Sequence, residues 1–347
     1  MSILRIIGIL CGLVSLGASF YRLRSHAEKR TDVWLLIAFG LTLVLVSLFP
    51  NLVNFPAELL LLRGHERGRV ITLLLISNAF LWFFYLYERS KAGQRYFQFD
   101  GLVRGLTVRE FIRDHIHDIV SGSIVILMPA YNEADNLAVI LPRIPKKIHS
   151  IPVNILLIDD GSSDDTHNIA KKSGALVATH PTNRGGGAAL RTGYNIIRKL
   201  DPVVIVTMDA DGQHSPEEIG TLVEPILQDK ADFIIGSRVL GSSADYSRIR
   251  SCGVHVFSKL INIIVGTAIT DCSSGFRAFN RAVLENCLLI QEQYHTAELI
   301  IEASKRGFRI QESPVNISCR LSGKSKKGKN LKYALYFLRT IIKSWLR

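Results

Sequence analysis

The chain has 347 residues and a formal charge of +12, a length that suits about two domains. Its five cysteines, Cys11, Cys252, Cys272, Cys287 and Cys319, are odd in number and lack a Cys-x-x-Cys pair. That excludes a disulfide framework and a zinc site, and agrees with a reducing, cytosolic compartment. The positive charge is not read as nucleic-acid binding, because the first quarter is membrane-like and no aromatic-basic reading motif accompanies the charge.

Three apolar runs open the chain. Ile3 to Tyr21 carries one charge, Arg5; Val33 to Phe55 carries none over 23 residues, and Val70 to Tyr87 none over 18. Each is near the ~20 residues that cross a bilayer as a helix. Residues 1–88 are therefore expected to form a three-helix transmembrane domain. The first loop holds Arg22, Arg24, Lys29 and Arg30, the second Arg63, Arg67 and Arg69, and the following tail Arg89, Lys91 and Arg95. The bias favours a cytoplasmic first loop and tail, with the N-terminus outside and an integral membrane protein whose large C-terminal domain is cytoplasmic. Residues 89–122 read as a linker, with helical spacing from Leu106 to Val120 that suits an interfacial or a plain linker helix.

From Ser123 short apolar runs alternate with helical stretches. Strands are expected at Ile124–Met128, Val153–Ile158, Leu176–Ala178, Val203–Met208 and Phe233–Ile235. Helices are expected at about 135–147, 164–173, 187–199 and 216–229. The alternation implies an α/β domain over 123–320, a mostly parallel sheet with helices on both faces. After residue 250 the pattern turns helical, with one further apolar stretch at 308–317.

Polar signatures fall at the strand ends, where open α/β sheets bind ligands. The first strand ends in Met-Pro-Ala-Tyr-Asn-Glu (128–133) and the second in Asp159-Asp160-Gly161-Ser162. Asn183 precedes three glycines, 185–187, which let backbone approach a ligand closely. The fourth strand ends in Asp209-Ala210-Asp211, two hard oxygen ligands suited to Mg²⁺ or Mn²⁺ on a diphosphate. Asp160 and Glu133 are placed to accept from a ribose hydroxyl or base. The glycine spacing is neither a Walker A nor a dinucleotide fingerprint, which argues against ATPase and NAD chemistry.

Taken together, Pro129-Ala130-Tyr131-Asn132-Glu133, Asp159-Asp160-Gly161-Ser162, Asn183 with Gly185–Gly187, Asp209-Ala210-Asp211 and Gln213-His214 resemble family 2 glycosyltransferases. Within them the chain looks like the dolichyl- or polyprenyl-phosphate sugar synthases. Gly236-Ser237-Arg238, Ser247-Arg248 before Ser251, Ser274-Gly275-Phe276-Arg277 and Arg320 with Ser322-Gly323-Lys324-Ser325-Lys326 are further marks of that branch. The resemblance covers roughly 123–345 and implies a GT-A-type, Rossmann-like fold. It implies a nucleotide-sugar site at Pro129, Tyr131, Glu133, Asp160, Gly187, Asp209 and Ala210, and a metal on Asp209, Asp211 and Gln213. It puts an acceptor phosphate near Arg238, Arg248, Ser251, Ser274, Arg277, Arg320 and Lys326, with Asp211, Arg238 and Arg248 as the catalytic set. The Gln-x-x-Arg-Trp motif of processive polysaccharide synthases is absent.

From Ser313 to the C-terminus there are nine Lys or Arg and no acid. In helical projection Leu331, Leu335, Leu338, Ile342, Trp345 and Leu346 share one face, with Lys332, Arg339, Lys343 and Arg347 on the other. Residues 321–347 are thus expected to form a basic loop and an amphipathic membrane-interface helix. The expected activity is inverting transfer of a sugar, GDP-mannose being the favoured donor, to a polyprenyl or dolichyl phosphate at the cytoplasmic face. UDP-glucose and UDP-N-acetylhexosamine remain alternative donors, and self-association remains open. A glycan or protein hydroxyl is the alternative acceptor; it would need a carboxylate base, for which Glu298 and Asp271 are candidates. A non-catalytic scaffold is disfavoured by the intact Asp209, Asp211 and Gln213.

Overall fold

A computed structural model of the chain describes residues 3–24, 30–59, 68–115, 121–243, 248–287, 289–291, 294–320 and 330–347. They fall into two compact units, Met1–Arg95 and Tyr96–Arg347.

The first unit contains α1 (Ile3–Arg24), α2 (Arg30–Leu48), α3 (Asn54–Leu59) and the start of α4 (Gly68–His115). α1 and α2 approach through glycine. A Cβ on Gly12 would lie 2.8 Å from the Gly40 carbonyl oxygen, and one on Gly40 would lie 2.9 Å from that of Gly12. Ser15 Oγ donates to the Leu36 carbonyl at 3.1 Å. Small residues and shared hydroxyls are how helices pack where no hydrophobic force separates them from lipid.

The expected straight span Val33–Phe55 is broken. α2 stops at Leu48, and the chain bends by 107° into Pro50–Leu59. Pro50 has no N–H to continue the ladder, and it drives Phe49 out of the helical region, to φ −122° and ψ 76°. Among the described residues one helix is long and apolar enough to cross a membrane, Val70–His115, or two if the bent pair is a single crossing. The three expected spans are thus not shown; Arg5–Tyr21 is a shorter apolar helix. Lys29, Arg63 and Arg67, used to argue orientation, lie outside the described residues.

α4 runs unbroken for 48 residues through the expected linker. Gly93, Gly101 and Gly105 do not interrupt it, since a glycine costs only about 1 kcal/mol in a helix. From Tyr96 onward it belongs to the second unit. There it buries Asp100, Val103, Thr107 and Phe111, a stripe at helical spacing.

The second unit is an eight-stranded sheet: β1 (Ile124–Ala130), β2 (Lys147–Ile148), β3 (Ile151–Asp159), β4 (Leu176–Thr179), β5 (Val204–Thr207), β6 (Phe233–Ser243), β7 (Arg277–Asn280) and β8 (Ile310–Ile317). The order is β2-β3-β1-β5-β7-β6-β8, with β4 also on β3. β1, β3, β4 and β5 pair in parallel, as do β6 and β8, whereas β7 runs against β5 and β6, and β2 against β3. The mostly parallel expectation holds with β7 as a reversed insertion. β7 was illegible because only Ala278 and Phe279 are apolar in it.

Helices α5 (Ala134–Ile140), α6 (Thr166–Lys172), α7 (Gly186–Ile197), α8 (Ile219–Leu227), α9 (Arg248–Val265), α10 (Arg281–Asn286), α11 (His295–Lys305) and α12 (Asn330–Leu346) complete the unit. Strand alternation sorts two cores. Ile124, Ile126 and Met128 join Leu137, Ile140, Leu222 and Val223 of α5 and α8. Val125 and Leu127 join Leu190, Tyr194, Ile261 and Ile300 of α7, α9 and α11.

α12 has three faces. Phe337, Thr340, Ile341 and Ser344 are buried, while Leu335, Ile342, Trp345 and Leu346 are exposed. Phe337 packs on Phe257 and Tyr294, with ring centroids 4.8 Å and 5.3 Å away. Four residues of the expected apolar stripe are thus exposed, and a second, buried face lies between that stripe and the basic one. Arg347 leaves the basic face to pair with Glu298 (3.3 Å) and Glu302 (2.7 Å). Phe337→Ala should therefore cost about 3–5 kcal/mol of stability. Leu335→Ala and Ile342→Ala should cost under ~1 kcal/mol while weakening binding to acidic liposomes. Denaturant unfolding and flotation measure the two separately.

Candidate active site

The strand ends bring four loops together. Asn132, at φ 53°, ties the first to the second: its backbone N–H donates to Ser162 Oγ (2.9 Å), and its Oδ1 accepts from the Ser163 N–H (2.8 Å). Pro129 lies in β1, and Tyr131 and Glu133 follow it, all three partly exposed. Asp160, expected to meet a nucleotide, is only 2% exposed. Its carboxylate accepts from His180 Nδ1 (2.7 Å), the Arg184 N–H (2.9 Å) and the Gly185 N–H (2.6 Å). It therefore shapes the glycine-rich loop from behind. His180 also meets Thr192 of α7 at 2.8 Å. Gly161 is required where the two loops touch, because a Cβ there would lie 2.8 Å from the Thr182 carbonyl carbon and φ is +73°. Gly185, at φ 90°, turns the chain into α7, of which Gly187 is the second residue.

Asp209, Ala210 and Asp211 follow β5. The antiparallel register sets Arg277 of β7 beside Thr207, so the loop before β7 comes back over Asp209. Thr207 Oγ1 donates to the Gly275 carbonyl (2.8 Å). A Cβ at Gly275 would stand 3.2 Å from both Asp209 carboxylate oxygens. His214 stacks on Phe276 at 4.9 Å, and its Nδ1 accepts from the Asp209 N–H (3.2 Å). Asp211 accepts from the Gln213 N–H (3.1 Å) and from Arg320 Nη2 (2.8 Å). Arg320 also reaches Glu133 at 3.4 Å. One guanidinium thus bridges carboxylates from the first and fourth loops.

Two carboxylates suit a divalent cation that arrives with a diphosphate and takes its other ligands from it and from water. Among the described residues no cluster of three His, Cys, Asp or Glu could cage a metal without a substrate. Asp209 and Asp211 fit that role; the Gln213 side-chain amide donates to the Ser318 carbonyl instead (3.4 Å).

Other expected residues are engaged differently. Arg238 forms a two-pronged pair with buried Asp271 (2.6 and 3.2 Å) and donates to Ser273 Oγ (2.9 Å). Arg277 is fully buried and donates to three carbonyls, of Ser274 (2.6 Å), Thr296 (2.6 Å) and Cys272 (3.0 Å). Burial pulls its pKa down to about 10, and it braces the loop from inside rather than facing an acceptor. Ser274 is buried, its Oγ accepting from the Phe276 N–H (3.3 Å). Ser251 lies half-buried in α9. Arg248 opens α9, but its side chain is not among those described, and Lys324 and Lys326 lie outside the described residues.

The two candidate bases are occupied. Asp271 holds Arg238 and the Ser273 N–H. Glu298, whose pKa burial raises, accepts from the Ile290 and Gln291 N–H groups and Arg347. His180 and His295 carry no signal in the sequence, and Gly275 has one only within its motif, Ser274-Gly275-Phe276-Arg277. Burial, then Arg277, pull the His295 pKa down to about 4, so it is neutral near pH 7.

The Glycosyl transferase family 2 profile matches residues 125–288. A polyprenol monophosphomannose synthase of Mycolicibacterium smegmatis is 33% identical over 230 residues, 61% of this chain and 84% of the relative. The chain belongs to glycosyl transferase family 2. It is a glycosyltransferase. A UDP-N-acetylglucosamine–dolichyl-phosphate N-acetylglucosaminyltransferase of Methanococcus voltae is 28% identical over 214 residues, 55% of this chain and 84% of the relative. Glucosyl-3-phosphoglycerate synthase from Mycobacterium tuberculosis, solved with Mn²⁺, UDP and glucosyl-3-phosphoglycerate, superposes with a TM-score of 0.52 over 68% of this chain and 83% of that one. At 19% identity it supports the shared fold alone.

Gly275→Ala tests the site without touching a charged group. The added methyl should push the Asp209 carboxylate aside, lowering turnover at least ~10-fold with the melting temperature within a few degrees of wild type. Steady-state kinetics and thermal unfolding report on each.

Proposed function

We propose that the chain transfers a sugar from a nucleotide-sugar donor to a polyprenyl-type lipid phosphate at a membrane surface. The observation that carries this is the Asp209-Ala210-Asp211 turn after β5, with Asp209 facing a loop kept free of side chain at Gly275. The M. smegmatis and M. voltae relatives carry polyprenol and dolichyl phosphate in their names, which supports the acceptor class. Those two names differ in the sugar, so the relatives favour no donor. GDP-mannose remains the donor proposed here, and UDP-sugars the alternatives.

Asp209 and Asp211 would hold Mg²⁺ or Mn²⁺, which when bound neutralises a leaving diphosphate. The residues do the rest by alignment. Asp160 holds the 184–185 backbone in the shape that would receive the donor. Arg320, paired with Glu133 and Asp211, would turn from those carboxylates toward an anionic substrate. Arg248, Ser251 and Lys326 complete the proposed acceptor set, and Arg238 would join only by exchanging Asp271 for phosphate. A phosphate acceptor, with a second pKa near ~6, is already ionised at neutral pH and needs no general base. The engagement of both Asp271 and Glu298 therefore favours phosphate over a hydroxyl acceptor. The exposed stripe of α12 and the apolar helices of the first unit would hold the enzyme at the bilayer, with the catalytic unit on the cytoplasmic side.

The test is a product assay with radiolabelled GDP-mannose, UDP-glucose and UDP-N-acetylglucosamine, polyprenyl phosphate and Mn²⁺. Label should enter the organic phase with one donor. Asp211→Asn should fold normally and lose more than about nine-tenths of that transfer. Label appearing only in water-soluble glycan or protein would overturn the acceptor.

A further inference from the structure

A single buried carboxylate outside the strand-end site gathers three guanidiniums. Asp100 of α4, 4% exposed, has Arg104 at 3.6 Å, Arg184 at 3.7 Å and Arg191 at 3.3 Å. Arg191 also donates to the Gln291 carbonyl at 2.8 Å. Arg184 is poorly matched by polar partners: its side chain is only 9% exposed, and its Nε and Nη2 are buried without a hydrogen-bond partner. Besides Asp100, two aromatic rings hold it. The guanidinium carbon lies 4.2 Å from the Tyr96 ring centroid and 4.9 Å from that of Phe99. A weakly hydrated, planar cation is the group that tolerates this setting.

Arg184 is also the residue before the three glycines. Its own N–H and that of Gly185 are the two backbone donors to Asp160. The loop is thus gripped twice at one residue, by its backbone from the end of β3 and by its side chain from α4. Glycines that let a ligand approach also leave the backbone free to wander, so a loop of this kind needs external restraint. Tyr96, Phe99, Asp100 and Arg104 all precede the family match, which begins at residue 125. The restraint comes from chain that the family profile does not contain.

We propose that Arg184 is a positioning residue for the donor loop, and that residues 96–104 of α4 are its clamp. The clamp fixes the backbone at 184–187 in the shape that accepts the phosphates of the donor. The proposal rests on the nucleotide-sugar reading above.

The experiment compares full-length wild type with Arg184→Met, Arg184→Lys and the double variant Tyr96→Leu, Phe99→Leu. The double variant leaves Arg184 in place should Arg184→Met fail to fold. Hydrogen exchange is followed at 183–187, with β1 and β5 as internal controls. Donor KM and kcat are measured with whichever of GDP-mannose, UDP-glucose and UDP-N-acetylglucosamine wild type uses. Exchange at 183–187 should quicken about tenfold in Arg184→Met and in the double variant, the scale of a lost desolvated cation–π contact, while the controls stay unchanged. Donor KM should rise by about the same factor, with kcat within about twofold. Arg184→Lys, keeping charge but losing the planar stack, should fall between. Wild-type exchange in the loop, or an unchanged KM beside a lowered melting temperature, would overturn the clamp. If wild type uses none of the three donors, the functional reading fails, and the exchange measurement alone decides the clamp.

Discussion

The site depends on a carboxylate that points away from it. Asp160 spends its charge on the Arg184 and Gly185 N–H groups and on His180, so the end of β3, the glycine loop and, through His180, α7 become one piece. Charge-assisted bonds of this kind are the strong ones, and burial removes the water that would compete for them. Without that anchor, the glycines at 185–187 would lose one of the two grips that fix them relative to the aspartates after β5. Gly161 completes the joint by allowing the two backbones to touch.

Sequence made the architecture legible where period and punctuation agree. The runs at 124–128, 153–158 and 203–208 are mostly apolar, broken only by Asn154 and Thr207, because much of both faces of those strands is covered, and a strand forms at each. The Asp-Ala-Asp at a strand end was legible for the same reason, since an apolar run stopping on two acids has few other readings. β7 was hidden, because a four-residue strand that begins in Arg277 and ends in Asn280 carries no alternation to detect. The break after α2 was written in Pro50 and outweighed by hydropathy. The polar turn at residue 88 suggests a boundary, yet nothing in that polarity opposes a helix, and α4 runs through it.

The arginines divide less predictably than the aspartates. Type and position cannot tell an arginine that waits for phosphate from one that braces a loop, because both need acceptors and both sit near strand ends. Arg277 has three backbone carbonyls, Arg238 a buried carboxylate, Arg184 two aromatic rings and Arg320 two carboxylates of the site itself. Of these, Arg320 has partners that a bound substrate would also seek, so its pairing is the one that substrate would compete with.

Arg277 carries one further consequence. It is sealed in the interior, yet a pKa of about 10 keeps it charged across the whole range in which cells live. Its three carbonyl partners do not titrate at all. Between mildly acid and mildly alkaline solution this brace therefore keeps its charge over Asp209. A change of turnover with pH in that interval would then come from the reactants or from side chains that gain and lose protons, and not from this brace.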